Sequence, residues 1–261
     1  MNGQNELLEL KKIFQSANNF AQMAFAGKTF IVPIVEMDKA DIDDLLEISE
    51  HKTAVLNNFQ AFLAGNSYNH ILLWGARGTG KSTLIRAAVA HFLAQNINLK
   101  FLQISCEHLQ DVAFLLWVAS QMSDKFLFFI DDLSFSANDD SYRALKAVLD
   151  GSIAGIPRNV LLCVTSNRRH LISEKFADDN SPHPEEDSEE QISLSERFGL
   201  RLSFHPLSQE QYLHIVRHYW LKKFHNSYEI SDDILQKSLQ FSLTRGSRSA
   251  RVAEQFVKSF G

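Results

Sequence analysis

Cysteine is nearly absent: Cys106 and Cys163 are the only two in 261 residues. Two cysteines set in apolar stretches exclude a disulfide framework of the kind that staples small secreted domains. Both read as small core residues. A basic excess is also missing. Lys and Arg total 26 against 31 Asp and Glu, for a formal net charge of −5 and a pI near 6.1. A broad electrostatic hold on nucleic acid is therefore not favoured, which leaves only a local patch such as Arg168-Arg169-His170 for that role. No apolar run approaches the ~20 residues of a membrane-spanning helix. The N-terminus carries no apolar core behind a basic start, so export is not expected and the reading is a cytoplasmic protein. No internal repeat is visible. What the chain does hold is core material. It is 45% hydrophobic and contains 20 Phe, enough for one large α/β domain or a domain with a smaller companion.

Short apolar runs alternate with helical patterns through the middle of the chain. Ile71–Trp74, Leu99–Ile104, Phe126–Asp131 and Val160–Thr165 read as strands. Residues 40–65, Thr83–Leu93, Leu109–Met122 and Tyr142–Leu149 read as helices, with Gly65 as a stop signal. Apolar strands alternating with helices imply a parallel sheet covered on both faces. Residues 1–28 read as helical, and Phe30–Val35 as an extended segment that Pro33 keeps out of a central strand. Residues 177–190 are acidic, contain two prolines and lack large apolar side chains, which predicts a solvated loop or a contact segment for a basic partner. A short strand at Leu200–Phe204 follows, then helices over 208–260. The expected division is an N-terminal extension over 1–42, an α/β domain over 43–206 and a helical subdomain over 207–261.

Gly75-Ala76-Arg77-Gly78-Thr79-Gly80-Lys81-Ser82 fills the phosphate-loop pattern G-x-x-x-x-G-K-[ST] at every fixed position. It lies between a predicted strand and a predicted helix, which is the context the chemistry needs. Glycines let the backbone turn its N–H groups toward phosphate oxygens. The helix N-terminus adds roughly half a positive charge. Lys81 can reach the β- and γ-phosphates, Ser82 can ligate Mg²⁺, and Thr83 continues the cradle into the helix. The second signal is Phe126-Leu127-Phe128-Phe129-Ile130-Asp131-Asp132, an apolar strand ending in two acids. Asp131 would hold the metal through water and Asp132 would orient or polarise the attacking water. A third apolar strand ends in Ser166-Asn167, where the Asn167 carboxamide could sit between that water and the γ-phosphate. Arg197 precedes the last strand, and Arg248 and Arg251 lie three apart on a late helix. Arginine stabilises charge that spreads over a transferring phosphoryl group.

With these pieces in this order the chain resembles the AAA+ ATPases, and within them a little-characterised bacterial family of single-module members. The stretches that carry the likeness are "ILLWGARGTGKSTLIRA", "FLFFIDDLSF", "YRALKAVLDGSI", "VLLCVTSNRRHLI", "SLSERFGL" and "GSRSARVAEQF", within residues 43–258. The resemblance implies a three-layer α/β sandwich with a five-stranded parallel sheet, followed by a small helical lid. It implies ATP and Mg²⁺, with Asn167 at the sensor-one position and Arg197 as an arginine finger acting in trans. Arg248 matches the sensor-two arginine and Arg251 is its rival. Residues around Leu46–Ile48 match the segment that lines the adenine pocket. A trans arginine implies a homo-oligomer, and an unidentified protein is the implied target. Most members carry Glu where this chain has Asp132, one methylene shorter, which puts the hydrolysis rate in question rather than nucleotide binding. The readings are a Mg²⁺-dependent ATPase, a nucleotide-gated switch with little hydrolysis, and a nucleic-acid loader.

Overall fold

Strands that are apolar on both sides need cover on both sides, and this requirement sets the architecture. The computed structural model describes residues 8, 12, 20–25, 29–34, 40–95, 97–133, 140–149, 155–167, 195–225 and 229–260. The strands are β1 (Phe20–Phe25), β2 (Thr29–Pro33), β3 (Ile71–Gly75), β4 (Leu99–Ile104), β5 (Lys125–Ile130), β6 (Val160–Ser166) and β7 (Leu200–Phe204). They form one sheet in the order β2-β1-β4-β5-β6-β3-β7. Five adjacent parallel strands, β4 to β7 in that order, are the expected sheet. Two more extend it. β1 adds parallel to β4, and β2 turns back antiparallel on β1 as the edge.

The side-chain period of two divides the core. Leu72, Leu102, Phe126, Phe128, Ile130 and Leu162 face one layer, where they meet Leu109, Val112, Leu116 and Leu145. Ile71, Leu73, Phe101, Leu127, Phe129 and Leu161 face the other, against Phe59, Phe62, Leu84, Ala88 and Val89. The second layer is built by α1 (Ser49–Ala64) and α2 (Lys81–Leu93). The first is built by a 3₁₀ turn (Cys106–Asp111), α3 (Val112–Ser120) and α4 (Asp140–Leu149). Gly65 ends α1 in the left-handed conformation (φ 77°), the stop read from the sequence. Cys163 is fully buried in the second layer.

After β7 the chain leaves the sheet and forms α5 (Gln209–Lys223), α6 (Asp232–Thr244) and α7 (Ala250–Lys258). Ser208 and Gln211 close a reciprocal capping box at the start of α5. Ser231 and Ser249 accept N–H groups at the starts of α6 and α7. Tyr212, Val216, Trp220, Leu235, Ala253 and Phe256 make a separate small core. This is the expected three-layer sandwich with a helical lid.

Two expectations change. The helical reading of residues 1–28 fails over Phe20–Phe25, which is strand β1. Its apolar residues look helical by spacing, but the edge of β4 offers a ladder on one side and β2 pairs with it on the other. Helix α1 starts at Ser49 rather than at residue 40, because residues 41–48 form turns. Pro33 sits on the outermost strand, where a missing N–H breaks no interior ladder. Arg168–His170, the acidic segment 177–190 and most of residues 1–19 lie outside the described residues.

Candidate functional site

The carboxyl ends of β3, β5 and β6 stand side by side, and the residues that follow them meet under the start of α7. In open α/β sheets this end is where ligands bind. A cleft of about 570 Å³ opens there, between the phosphate-loop helix α2 and lid helices α5 and α7.

The loop is shaped by its glycines. Gly75, Gly78 and Gly80 have φ of 123°, 74° and 99°, a region that disfavours a side chain. Two of them are also sterically required. A Cβ on Gly75 would lie 2.1 Å from the carbonyl oxygen of Phe204, and one on Gly78 would lie 2.7 Å from Oγ of Ser249. Gly75 therefore lets the loop pass over the end of β7. Gly78 lets the N-cap of α7 rest on the loop. The N-termini of two helices, α2 and α7, thus converge on one cleft, each adding partial positive charge.

Lys81 is buried. Its Nζ donates to the carbonyls of Gly75 (2.9 Å) and Ala76 (2.7 Å) and to Oδ1 of Asn167 (3.1 Å). Burial holds its ammonium below the ordinary lysine range, opposed by Asp132 and Asp131 and assisted by Arg77 and Arg251. Asn167 in turn donates through Nδ2 to Asp132. The three side chains form one chain: lysine to carboxamide to carboxylate. Beside it, Oγ of Ser82 donates to Oδ1 of Asp131 at 2.5 Å. Thr165, on β6, donates to the same oxygen at 2.5 Å and accepts the backbone N–H of Asp132 at 2.9 Å. Asp132 itself has φ of 54°. A non-glycine residue in this region costs free energy that the surroundings must offset. Thr165 does so, since its carbonyl also accepts the N–H of Leu133 at 2.7 Å.

Ten of the sequence-predicted residues line this cleft: Arg77, Gly78, Gly80, Lys81, Ser82, Thr83, Asp131, Asp132, Asn167 and Arg251. Gly75, Ala76 and Thr79 shape the loop from behind. The Ala76 N–H donates to the Phe204 carbonyl at 2.8 Å. The Thr79 hydroxyl donates to the Ala76 carbonyl at 2.8 Å. Those two groups serve the turn and not a ligand. Arg248 lies elsewhere, on a second cavity of about 490 Å³ that it shares with Leu207 and Leu243. The reason is helix phase: Ser249 caps α7, so Arg251 falls inside the first turn over the loop while Arg248 precedes the cap. Arg197 is exposed in the turn before β7 and is not among the cleft-lining residues.

Thr165, Arg86, Tyr219, Leu45 and Glu254 also line the cleft, although the sequence reading gave none of them a role. A polar residue closing an apolar strand signalled Thr165. Arg86 follows Ser82 by four residues and so shares its helix face. Glu254 follows Arg251 by three residues and so shares its helix face, whereas nothing local pointed to Tyr219, which arrives with the lid. Leu45 and Ile48 are buried beside Gly80, whereas Leu46 packs into the lid core. The same segment is tied to α5. Asp44 accepts from Lys222 and meets His218 at 3.2 Å, and Glu47 meets His214 at 2.5 Å. Burial raises the Asp44 carboxyl, but hydrogen bonds and charge from Lys222 and His218 outweigh it and hold the group below its ordinary value.

Known structures share this architecture. The RuvB Holliday junction branch migration motor of Thermotoga maritima superposes with a TM-score of 0.54 at 20% identity, over 84% of this chain and 63% of that one. The FIGL-1 AAA domain in complex with ADP gives 0.51 at 19% identity, over 85% and 73%. The ORC1 protein of Aeropyrum pernix in complex with DNA gives 0.53 at 15% identity, over 80% and 57%. In sequence, the chromosomal replication initiator protein DnaA of Streptococcus equi subsp. zooepidemicus is 22% identical over 205 residues. That alignment takes in 77% of this chain but only 44% of the initiator, so the chain spans less than half the length of that relative. Among the described residues no helix is long and apolar enough to cross a membrane. The family described as "Protein of unknown function (DUF815)" matches residues 15–261, and the chain, with its AAA+ fold, belongs to it.

Proposed function

We propose that this protein is a Mg²⁺-dependent ATPase whose nucleotide state moves its lid and, through it, a partner. The observation that carries this reading is the shared carboxylate. Asp131, just past the end of β5, receives both the Ser82 hydroxyl of the phosphate loop and Thr165 of β6, each at 2.5 Å. Hydroxyl and carboxylate that close are a hard-oxygen pair suited to Mg²⁺, which keeps several waters and takes its remaining ligands from substrate phosphates. Among the described residues there is no group of three or more His, Cys, Asp or Glu able to hold a metal without such help. Magnesium on this pair would offset charge on the phosphates.

The chain's own groups supply the rest. Loop N–H groups and the α2 N-terminus receive phosphate oxygens. Lys81 gives up its contacts to the Gly75 and Ala76 carbonyls and turns to the phosphates. Arg77, Arg86 and Arg251 add positive charge around the cleft. We assign the lid arginine to Arg251 on its position. Asn167 and Asp132 already touch, so releasing Asn167 from Lys81 leaves it to align the water that Asp132 polarises. We assign Arg197, exposed and outside its own cleft, to the site of a neighbouring copy.

A second reading has its own support. Asp132 is short, its backbone is strained and its carboxylate is held by Asn167. Such a site suits a nucleotide-gated switch that hydrolyses little. The net charge of −5 gives a nucleic-acid loader less support. Calorimetry and phosphate release on three proteins separate the first two. The wild type should bind ATP with Mg²⁺ and release phosphate. Lys81→Ala should lose binding, and Asp132→Asn should bind but turn over at least ~10-fold more slowly. Binding without release under any condition supports the switch, and no saturable binding rejects both.

A further inference from the structure

The cleft holds one residue that a polyanion would avoid. Glu254 lies on α7, one turn past Ala250 and Arg251, and lines the same cleft as Lys81 and Ser82. Asp131 and Asp132 are explained by metal and water, but Glu254 is on the lid, not on the strand ends that carry those acids. Its Oε1 is held by Lys258 at 2.6 Å in an i,i+4 pair. That contact steadies one carboxylate oxygen and leaves acceptor capacity on the other. Tyr219 of α5 lines the cleft too, and burial, with Glu254 and then Asp44, pushes its phenol up to about 12. The phenol is therefore neutral and keeps its proton at physiological pH. Leu45, buried next to Gly80, supplies an apolar wall nearby.

A carboxylate, a neutral phenol and an apolar wall do not suit phosphate. They suit the part of a nucleotide that carries hydroxyl donors and a flat base. Resting on the ATP reading above, we infer that Glu254 is a specificity-determining residue that accepts a hydrogen bond from the ribose hydroxyls, so that the cleft selects ribonucleotides over deoxyribonucleotides. A site built to pair a hydroxyl discriminates against the analogue that lacks it, because its own polar group is then left unpaired.

Calorimetric titration of the full chain with Mg²⁺ and ATP, 2′-deoxyATP, 3′-deoxyATP and inorganic tripolyphosphate tests this. The wild type should bind ATP at least ~10-fold more tightly than one or both deoxy analogues. Glu254→Ala should bring ATP and the deoxy analogues within about twofold of each other while tripolyphosphate affinity holds or rises, since a negative charge leaves the cleft; that last measurement also shows the variant to be folded. Glu254→Gln keeps an acceptor oxygen and should retain part of the preference. Equal wild-type binding of ATP and both deoxy analogues, or a preference that survives Glu254→Ala, overturns the ribose role while leaving the ATP reading intact. Failure to bind any nucleotide overturns both.

Discussion

Thr165 does more in the site than its place in the sequence suggests. One hydroxyl both donates to Asp131 and accepts the N–H of the strained Asp132. Thr165→Val keeps the shape and removes both bonds. The expected cost is about 1–3 kcal/mol, with a fall in phosphate release larger than the fall in ATP affinity; kinetics and calorimetry on one preparation check it. Gly78→Ala meets two penalties, a φ of 74° and the Ser249 hydroxyl 2.7 Å from the new carbon. Gly246 has φ of 69° but nothing within 4 Å, so Gly246→Ala bears the conformational cost alone, roughly 1–2 kcal/mol. Gly78→Ala should also weaken nucleotide binding about tenfold or more while Gly246→Ala does not, a contrast that melting and titration read directly. His70 gives a pH test. Burial lowers it from 6.5 to about 4, and its Nδ1 accepts the Leu162 N–H at 3.3 Å. The unfolded chain takes up the proton first, so stability is full above pH 6.5, falls as pH drops and has lost roughly 3 kcal/mol below about 4. His70→Gln keeps an acceptor without the titration and should flatten denaturation midpoints between those limits. The phosphate loop and both acids were legible because each depends on neighbours in sequence. The choice between Arg248 and Arg251 was not, because a single cap, Ser249, sets which of them falls over the loop.

At the scale of elements, strands were read well and their edges poorly. β5 and β6 announce themselves because six and seven consecutive residues must suit a double-sided core. β1 does not, because Phe20–Phe25 becomes a strand through pairing with β2 and with β4, whose Phe101 lies opposite Phe20 from far along the chain. The contacts between residues 44–47 and α5 were equally invisible, being made between segments more than 160 residues apart. They form a latch between residues 44–47 and the lid. Asp44 is partly exposed, as are its partners, so the pairs add little to global stability, at most about 1 kcal/mol each. Their effect belongs in lid kinetics. Asp44→Asn with Glu47→Gln should speed release of a fluorescent nucleotide several-fold while the melting temperature moves little, and added salt should speed wild-type release in the same direction. Asp44 is ionised when folded at a pH where the unfolded chain binds a proton, so this latch persists above its ordinary value of 3.8 and is lost only in stronger acid.

For the whole molecule, the decisive question is how many copies make one site. Arg197 is exposed and does not line its own cleft. An arginine finger from a neighbour adds roughly 10³ to 10⁵ in rate. Arg197→Ala alone and Lys81→Ala alone should each be inactive. Mixed, they should recover part of the turnover, since Lys81→Ala copies lend the arginine to clefts with an intact loop. No recovery on mixing, together with an unchanged mass in the presence of an ATP analogue, rejects assembly through this residue. A last consequence follows from the end of β7. The Phe204 carbonyl takes the Ala76 N–H, and Gly75 passes too close to it for any side chain. Ser208, four residues on, begins the lid. The phosphate loop and the root of the lid therefore share one anchor, so on the proposed function a slight shift of the loop against that carbonyl would be magnified along the lever of α5 into motion at its far tip, carrying news of the cleft's occupancy to a surface that no nucleotide touches.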